Sequence, residues 1–407
     1  DMRIIAVGDD DQSIYEFRHA SPQYFKRLIR EYGAMKYELV ENFRSKSNLV
    51  DFTNQFVARI HHRLKENPII AKQADNGKIK VVRYKSENLI EPLVKDILSA
   101  ELRGSVCVLT YTNDEALQVS GLLLKNGMPA QLIQDNSGFC LLKLDEINFF
   151  LSRLHSVEDI FLIDDDVWEQ AKKELQTVFQ NSSKLESCLG LIRDFETINP
   201  KRRYKSDLEL FIRESKLNDF FGENGETIFV STIHKVKGKE FDHVFLMLNN
   251  FNLSSDERIR QLYVAMTRAR RELTIHLNSD FLDGLSSEAV EHIEDKNDYL
   301  PPEELAIHLT HSDIWLDYFI NRQPQIAQLR SGDTLYVRGD ECLDGNGQSV
   351  LKFSRNFMSE HYERLHRQGY ELKSAMVNFI VYWQSEKVAK EIKIILPELF
   401  FERKKIS

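Results

Sequence analysis

The stretch VGDDDQSIYEFRHA, Val7 to Ala20, concentrates side chains that handle phosphates and bases. It follows a short apolar β-rich run, Arg3 to Val7, so it sits at the C-terminal end of an expected buried strand, where α/β sheets present their ligands. Gln12 places a neutral amide at that strand tip, able to donate to a phosphate oxygen. Tyr15 and Phe17 alternate with Glu16 and Arg18, which puts aromatic faces beside a cation, a combination suited to stacking exposed bases. Two core aromatics and a solvated arginine would produce the same pattern, and the segment alone leaves both readings open.

The elements that must position these residues follow from hydrophobic periodicity. A mostly polar helix is expected from Ser21 to Tyr32, then a strand at Leu39 to Val40 and an amphipathic helix with Leu49, Phe52, Phe56 and Ile60 at helical spacing. Residues 78–134 alternate strand and helix in the βαβαβ order of a parallel sheet. From about Leu144 to Phe221 the chain reads as a Lys- and Glu-rich helical insertion. Strands resume at Thr227 to Thr232, His243 to Leu248 and Leu273 to Leu277, with a helix near Glu257 to Arg271. Beyond Pro301 and Pro302 a helical linker is expected, then strands around one helix, Asn356 to Gln368, as a small β-barrel. There is no internal repeat and no low-complexity tract.

Composition narrows the class. With 407 residues, 42% of them hydrophobic, the chain can bury more than one core. Cys107, Cys140, Cys188 and Cys342 form no CxxC pair, which argues against a disulfide framework or a cysteine-rich zinc site and fits a reducing cytoplasm. No run of about 18 apolar residues marks a membrane span. The net charge of −9 counts against a wholly cationic nucleic-acid surface, but it describes the whole surface and not one groove. The opening on Asp1 directly before a strand has the look of an excerpt.

Four segments in fixed order carry a family resemblance. VGDDDQSIYEFR is similar to motif III of UvrD/Rep-like superfamily 1 DNA helicases, and NFRS at Asn42 to Ser45 resembles motif IV. STIHKVKGKEF at Ser231 to Phe241 resembles motif V, and RQLYVAMTRARREL at Arg260 to Leu273 resembles motif VI. VLTYTNDEAL, Val108 to Leu117, resembles the strand and loop between motifs IV and V. The resemblance implies Arg44 and Arg268 as arginine forks on a γ-phosphate, with Gln12 linking nucleotide state to the DNA loop. It also implies Phe43 stacked on adenine, Glu240 accepting from ribose hydroxyls, and Gly238 in a tight turn near the nucleotide. On the DNA side it implies Tyr15, Phe17 and Arg18, with Asn113, Thr232, His234 and Lys237 as phosphate or base contacts. A solvated lysine is an equally ready reading of Lys237.

Departures from the family pattern are equally legible. His19 stands where glycine is common, Tyr111 where a basic residue is common, and Lys239 where an aliphatic one is. The insertion is shorter than the accessory domain of the best-known members. No GxxxxGK[ST] occurs, and no apolar strand ending in a DE pair precedes motif III. The cofactors implied are ATP and Mg²⁺, with most ligands outside these residues; no metal ligand is assigned here.

The expected fold is α/β: a RecA-like parallel-sheet domain with a helical insertion and a small C-terminal β-barrel. The expected division is 1–50 as the end of a first RecA-like domain, 51–140 and 225–300 as a second, 141–224 as the insertion, 301–330 as a helical linker and 331–407 as the barrel. The expected activity of the intact protein is ATP-dependent translocation on single-stranded DNA, 3′ to 5′, with duplex unwinding in repair or recombination, and the 407-residue piece alone is expected to be inactive. Expected partners are single-stranded DNA, duplex junctions and a protein partner for the barrel, with no membrane. Two alternatives are a non-catalytic DNA- or protein-binding scaffold, and a RecB-like helicase-nuclease, whose QxxxY-like segment is absent.

Overall fold

Runs of β-branched and aliphatic residues buried on both faces are the mark of a parallel sheet covered by helices, and Val106–Thr110 is such a run, buried at every position. Seven strands make this sheet: β1 (Lys78–Tyr84), β2 (Val106–Thr110), β3 (Ala130–Leu132), β4 (Ile228–Thr232), β5 (Phe241–Leu248), β6 (Ala269–Leu277) and β7 (Val290–Asp295). Their order is β7-β1-β6-β5-β2-β4-β3, and every pairing is parallel. The computed structural model describes residues 5–14, 23–61, 63–133, 140–154, 162–215, 227–285, 287, 289–384 and 390–404.

Contacts divide the chain into two compact units. One comprises Asp1–Leu123, Ala130–Asp135 and Glu226–Pro302, and the other Leu124–Pro129, Asn136–Gly225 and Glu303–Ser407. In the first unit the helix Ser47–Val57 buries Leu49, Phe52 and Phe56 in the same core as Val244, Leu246 and Ile275 of the sheet, as the i, i+3, i+7 spacing predicts. The register sets Thr110 beside Thr232 and Leu109 beside Leu246. The C-terminal ends of β2, β4 and β5 therefore lie side by side; Asn113 follows β2, and His234, Lys237, Gly238 and Glu240 lie in the loop after β4.

Of the buried strand expected before motif III, Arg3 and Ile4 lie outside the described residues, and the described part, Ile5–Val7, forms no strand. Ile5–Asp9 belongs to no ladder, and Ile5 and Val7 are 90% and 84% exposed. An apolar run becomes a buried strand only where neighbours supply hydrogen bonds and a covering face, and none does so among the described residues. The helix Gln23–Tyr32 likewise buries no residue. The edge strand β7 was not anticipated, because VEHIED is too polar to signal a strand by composition.

The second unit joins the helical insertion to the C-terminal strands. Trp168 of the helix Asp165–Val178 meets Phe150 of Asp145–Arg153 edge-on at 5.2 Å and Phe195 of Leu185–Ile198 at 5.9 Å, and Phe195 meets Phe211 of Lys205–Glu214 at 5.5 Å. Lys393 pairs with Asp145 at 2.7 Å, and Leu144 bridges to Val381.

The C-terminal strands are β8 (Glu304–His308), β9 (Thr334–Arg338), β10 (Glu341–Leu343), β11 (Ser349–Lys352), β12 (Tyr370–Gln384) and β13 (Glu391–Arg403), in the order β8-β13-β12-β9-β10-β11. Their pairings are antiparallel. No ladder joins β8 to β11 among the described residues, so the expected closed barrel is instead an open sheet. Alternation along a strand reveals which face is buried but not whether the two edge strands meet. The expected helical linker likewise holds a strand, β8, whose register with β13 runs from Glu304 opposite Glu402 to His308 opposite Glu398.

Glu146 lies deep in this unit, 1% exposed. Its Oε1 accepts from Ser182 Oγ at 2.6 Å and Ser331 Oγ at 3.1 Å, while Oε2 has no partner. Burial pushes its pKa up.

Candidate nucleotide and nucleic-acid sites

The helix Asp256–Met266 starts where the Ser255 hydroxyl caps the Arg258 amide, and it ends at Thr267, so Arg268 leaves the helix pointing into the protein. Arg268 is 1% exposed. Its Nε donates to Val264 O at 2.9 Å and Nη1 to Lys239 O at 3.2 Å; Nη2 donates to Gln12 Oε1 at 3.2 Å and Thr267 Oγ1 at 3.1 Å. Every acceptor is neutral, and no carboxylate pairs with it among the described residues. Burial, then the nearby Arg44 guanidinium, brings its pKa down to about 10. Glu240 and Asp9 act on it only from beyond ion-pair distance, and a buried cation without a directly paired carboxylate is costly unless an anion arrives.

Gln12 closes a short turn in which Asp9 Oδ2 accepts from Gln12 Nε2 at 2.8 Å. Lys237 Nζ donates to the Gln12 carbonyl at 3.0 Å, which ties the motif V loop to motif III. Asp9, Asp10 and Asp11 lie close together, but each carboxylate already holds a donor. Arg63 forks onto Asp11 at 2.9 and 2.8 Å, Lys65 meets Asp9 at 2.7 Å, and the Leu64 amide meets Asp10 at 2.6 Å. The trio therefore carries no case for a metal.

Arg44 sits in a turn built by Asn42, whose Oδ1 accepts from the Arg44 and Ser45 amides at 2.9 Å each. Its Nη1 donates to Thr267 O at 3.4 Å, so Arg44 and Arg268 converge on one residue. Arg44 pairs with Glu240, which also pairs with Arg270 at 3.2 Å. The Arg44 Nε is buried without a partner. Beside it Phe43 is 69% exposed, while its carbonyl and that of Arg44 accept from Gln73 Nε2 at 2.9 Å each. A cleft of about 130 Å³ opens here, lined by Gln12, Asn42, Arg44, Tyr263, Met266 and Thr267. Gly238 turns the motif V loop with φ +88, a backbone region that glycine enters without strain.

The remaining candidates occupy the C-terminal edge of the sheet. Asn113 is exposed at the start of the helix Asn113–Lys125, preceded by a reciprocal cap between Thr112 and Glu115. Thr232 ends β4 and is buried. His234 is half-buried 3.2 Å from Gln261 Nε2, and burial lowers its pKa. Tyr15, Phe17, Arg18 and His19 lie outside the described residues.

Residues 37–157 and 145–280 match the family described as UvrD-like helicase C-terminal domain, and residues 1–33 match the UvrD/REP helicase N-terminal domain. The chain belongs to the UvrD-like helicase family. Gabija protein GajB of Bacillus cereus (strain VD045) is 24% identical over 309 residues, 70% of this chain and 61% of GajB. RecBCD enzyme subunit RecB of Chlamydia pneumoniae is 23% identical over 391 residues, 77% of this chain and 37% of RecB. ATP-dependent DNA helicase Rep of Escherichia coli (strain K12) is 24% identical over 164 residues, 39% of this chain and 24% of Rep. The chain thus spans less than two thirds of the length of each of these relatives.

The fold brings Gln12, Arg44, Gly238, Glu240 and Arg268 to one place and leaves Asn113, Thr232 and His234 on a separate edge. Sequence reasoning missed Thr267 and Arg270 at the first place and Gln261 at the second. All three stand inside motif VI, so the motif contained them, but which side chains face the cleft depends on contacts far along the chain.

Proposed function

We propose that this chain is the half of an ATP-driven DNA helicase that closes on the nucleotide and tracks single-stranded DNA. The observation that carries this reading is Arg268: a desolvated guanidinium held only by neutral acceptors, with a second arginine converging on the same threonine. Such a pair is poised for an anion whose charge grows during phosphoryl transfer. Membership of the UvrD-like family supports ATP as that anion's source.

Arg268 and Arg44 present fixed positive charge to the γ-phosphate, and the unpartnered Nε of Arg44 offers a further donor. Phe43, rigidly anchored through its backbone and open at its ring, stacks on the adenine. Glu240 takes the ribose hydroxyls while shared between Arg44 and Arg270. Gln12 touches Arg268 directly, so a change at the phosphate is felt in the motif III loop that continues to Tyr15 and Phe17. ATP with Mg²⁺ supplies the anhydride whose cleavage drives movement. The GxxxxGK[ST] lysine that would hold the phosphates is not among these 407 residues. On this reading the 407 residues alone are inactive, and the intact protein translocates 3′ to 5′ and unwinds duplex in the cytoplasm, in repair or recombination.

The test is single-stranded-DNA-stimulated ATP hydrolysis by the full-length parent, by its Arg268→Ala variant and by the 407-residue chain. Turnover by the parent alone is the expected result. A parent that binds DNA and never hydrolyses ATP would replace this reading with a non-catalytic scaffold.

A further inference from the structure

The Tyr111 ring lies edge-on to Phe251, with centroids 5.2 Å apart, and the Arg258 guanidinium sits 4.5 Å from the Tyr111 centroid and 5.3 Å from that of Phe251. Phe251 in turn packs on Phe281 at 5.9 Å, so the aromatic floor is anchored in the core. A guanidinium over an aromatic face keeps its rim of N–H donors free for a phosphate. No carboxylate pairs with Arg258 among the described residues. A cation in the first turn of Asp256–Met266 is also disfavoured by the positive end of the helix dipole. The charge is therefore held in place by the aromatics, while Asp256 and Glu257 precede it in the same turn without pairing with it, and Asp256 pairs instead with His61.

Its position gives that charge a use. Tyr111 directly follows β2, Phe251 follows β5, and the register sets the ends of β2, β4 and β5 side by side. Arg258 is one turn before Gln261, which contacts His234, so the two share a helix face. Asn113 is exposed two residues beyond Tyr111. We infer that Arg258, held on Tyr111 and Phe251, is a backbone contact for single-stranded nucleic acid, seating a phosphate at the sheet edge that carries Asn113 and His234. This rests on the proposed DNA-tracking function and assigns a cation to an edge where the sequence offers a tyrosine.

The experiment measures binding of the 407-residue chain to a fluorescent oligothymidylate of about 16 nucleotides, enough for one site, across a salt series, with Arg258→Gln and Arg258→Lys beside it. Each phosphate contact on a single strand contributes roughly 0.7 to the slope of log affinity against log salt. Arg258→Gln is expected to lose about that much slope with an unchanged melting temperature, and Arg258→Lys to retain it. If the oligonucleotide binds and Arg258→Gln keeps the full slope, or Arg258→Lys loses it, the phosphate contact is wrong while DNA binding stands. A wild-type chain that binds no oligonucleotide at low salt overturns both.

Discussion

Replacing Arg268 with methionine separates a functional arginine from a structural one, because the two readings differ in magnitude. The side chain is 1% exposed and makes four hydrogen bonds to neutral acceptors. At about 1 kcal/mol net each, these favour the folded state by about 4 kcal/mol. Against this, the fall of its pKa to about 10, caused first by burial and then by Arg44, corresponds to about 3 kcal/mol opposing the folded cation. The two nearly cancel, so Arg268→Met, which fills a similar volume without charge, should lose only about 1 kcal/mol. In a domain of this size that is a few degrees of melting temperature.

Turnover should respond on a different scale. An arginine stabilising phosphoryl-transfer charge contributes about 10³- to 10⁵-fold in rate, or about 4 to 7 kcal/mol of barrier. The assay pairs a thermal melt of the 407-residue chain with DNA-stimulated ATP hydrolysis by the full-length parent carrying the same substitution. A melting temperature lowered by more than about 10 °C, together with turnover within tenfold of wild type, would show that Arg268 is a packing element and refute the argument from its missing counter-charge.

Three further outcomes are expected. Phe43→Ala should raise the KM for ATP in the parent while leaving the melting temperature of the chain within about 1 °C, since surface substitutions away from special features cost little; an unchanged KM would remove Phe43 from the nucleotide site. Gly238→Ala should destabilise the chain by about 1 kcal/mol through its left-handed backbone alone, because no atom lies where the new Cβ would go, and equal melting temperatures would show that the turn is not held in this conformation. Glu146 has a raised folded pKa, so its contribution is greatest where both states are protonated and declines as pH rises from the unfolded carboxyl value to the folded one. The melting temperature of Glu146→Gln relative to wild type should therefore increase between pH 4.5 and 8, and a flat difference would show that Glu146 does not titrate as a buried acid.

The local patterns were legible in the sequence alone. The spacing of Leu49, Phe52 and Phe56 defines the helix Ser47–Val57 and its buried face, and the βαβαβ alternation of residues 78–134 announces a parallel sheet, because side-chain period encodes which face meets the core. Motif order likewise singled out Gln12, Arg44, Glu240 and Arg268 before any contact was known. Tertiary structure alone decided what these residues touch. Gln12 and Arg268 are 256 positions apart, yet one amide oxygen meets one guanidinium, and Arg258 of the helix Asp256–Met266 reaches Tyr111 in the loop after β2. The apolar run at Ile5 and Val7 stays exposed, and the C-terminal strands form an open sheet, for the same reason. A segment's pattern specifies the face it offers, but the neighbour that covers it, and the edge that pairs with it, are set by chain far away.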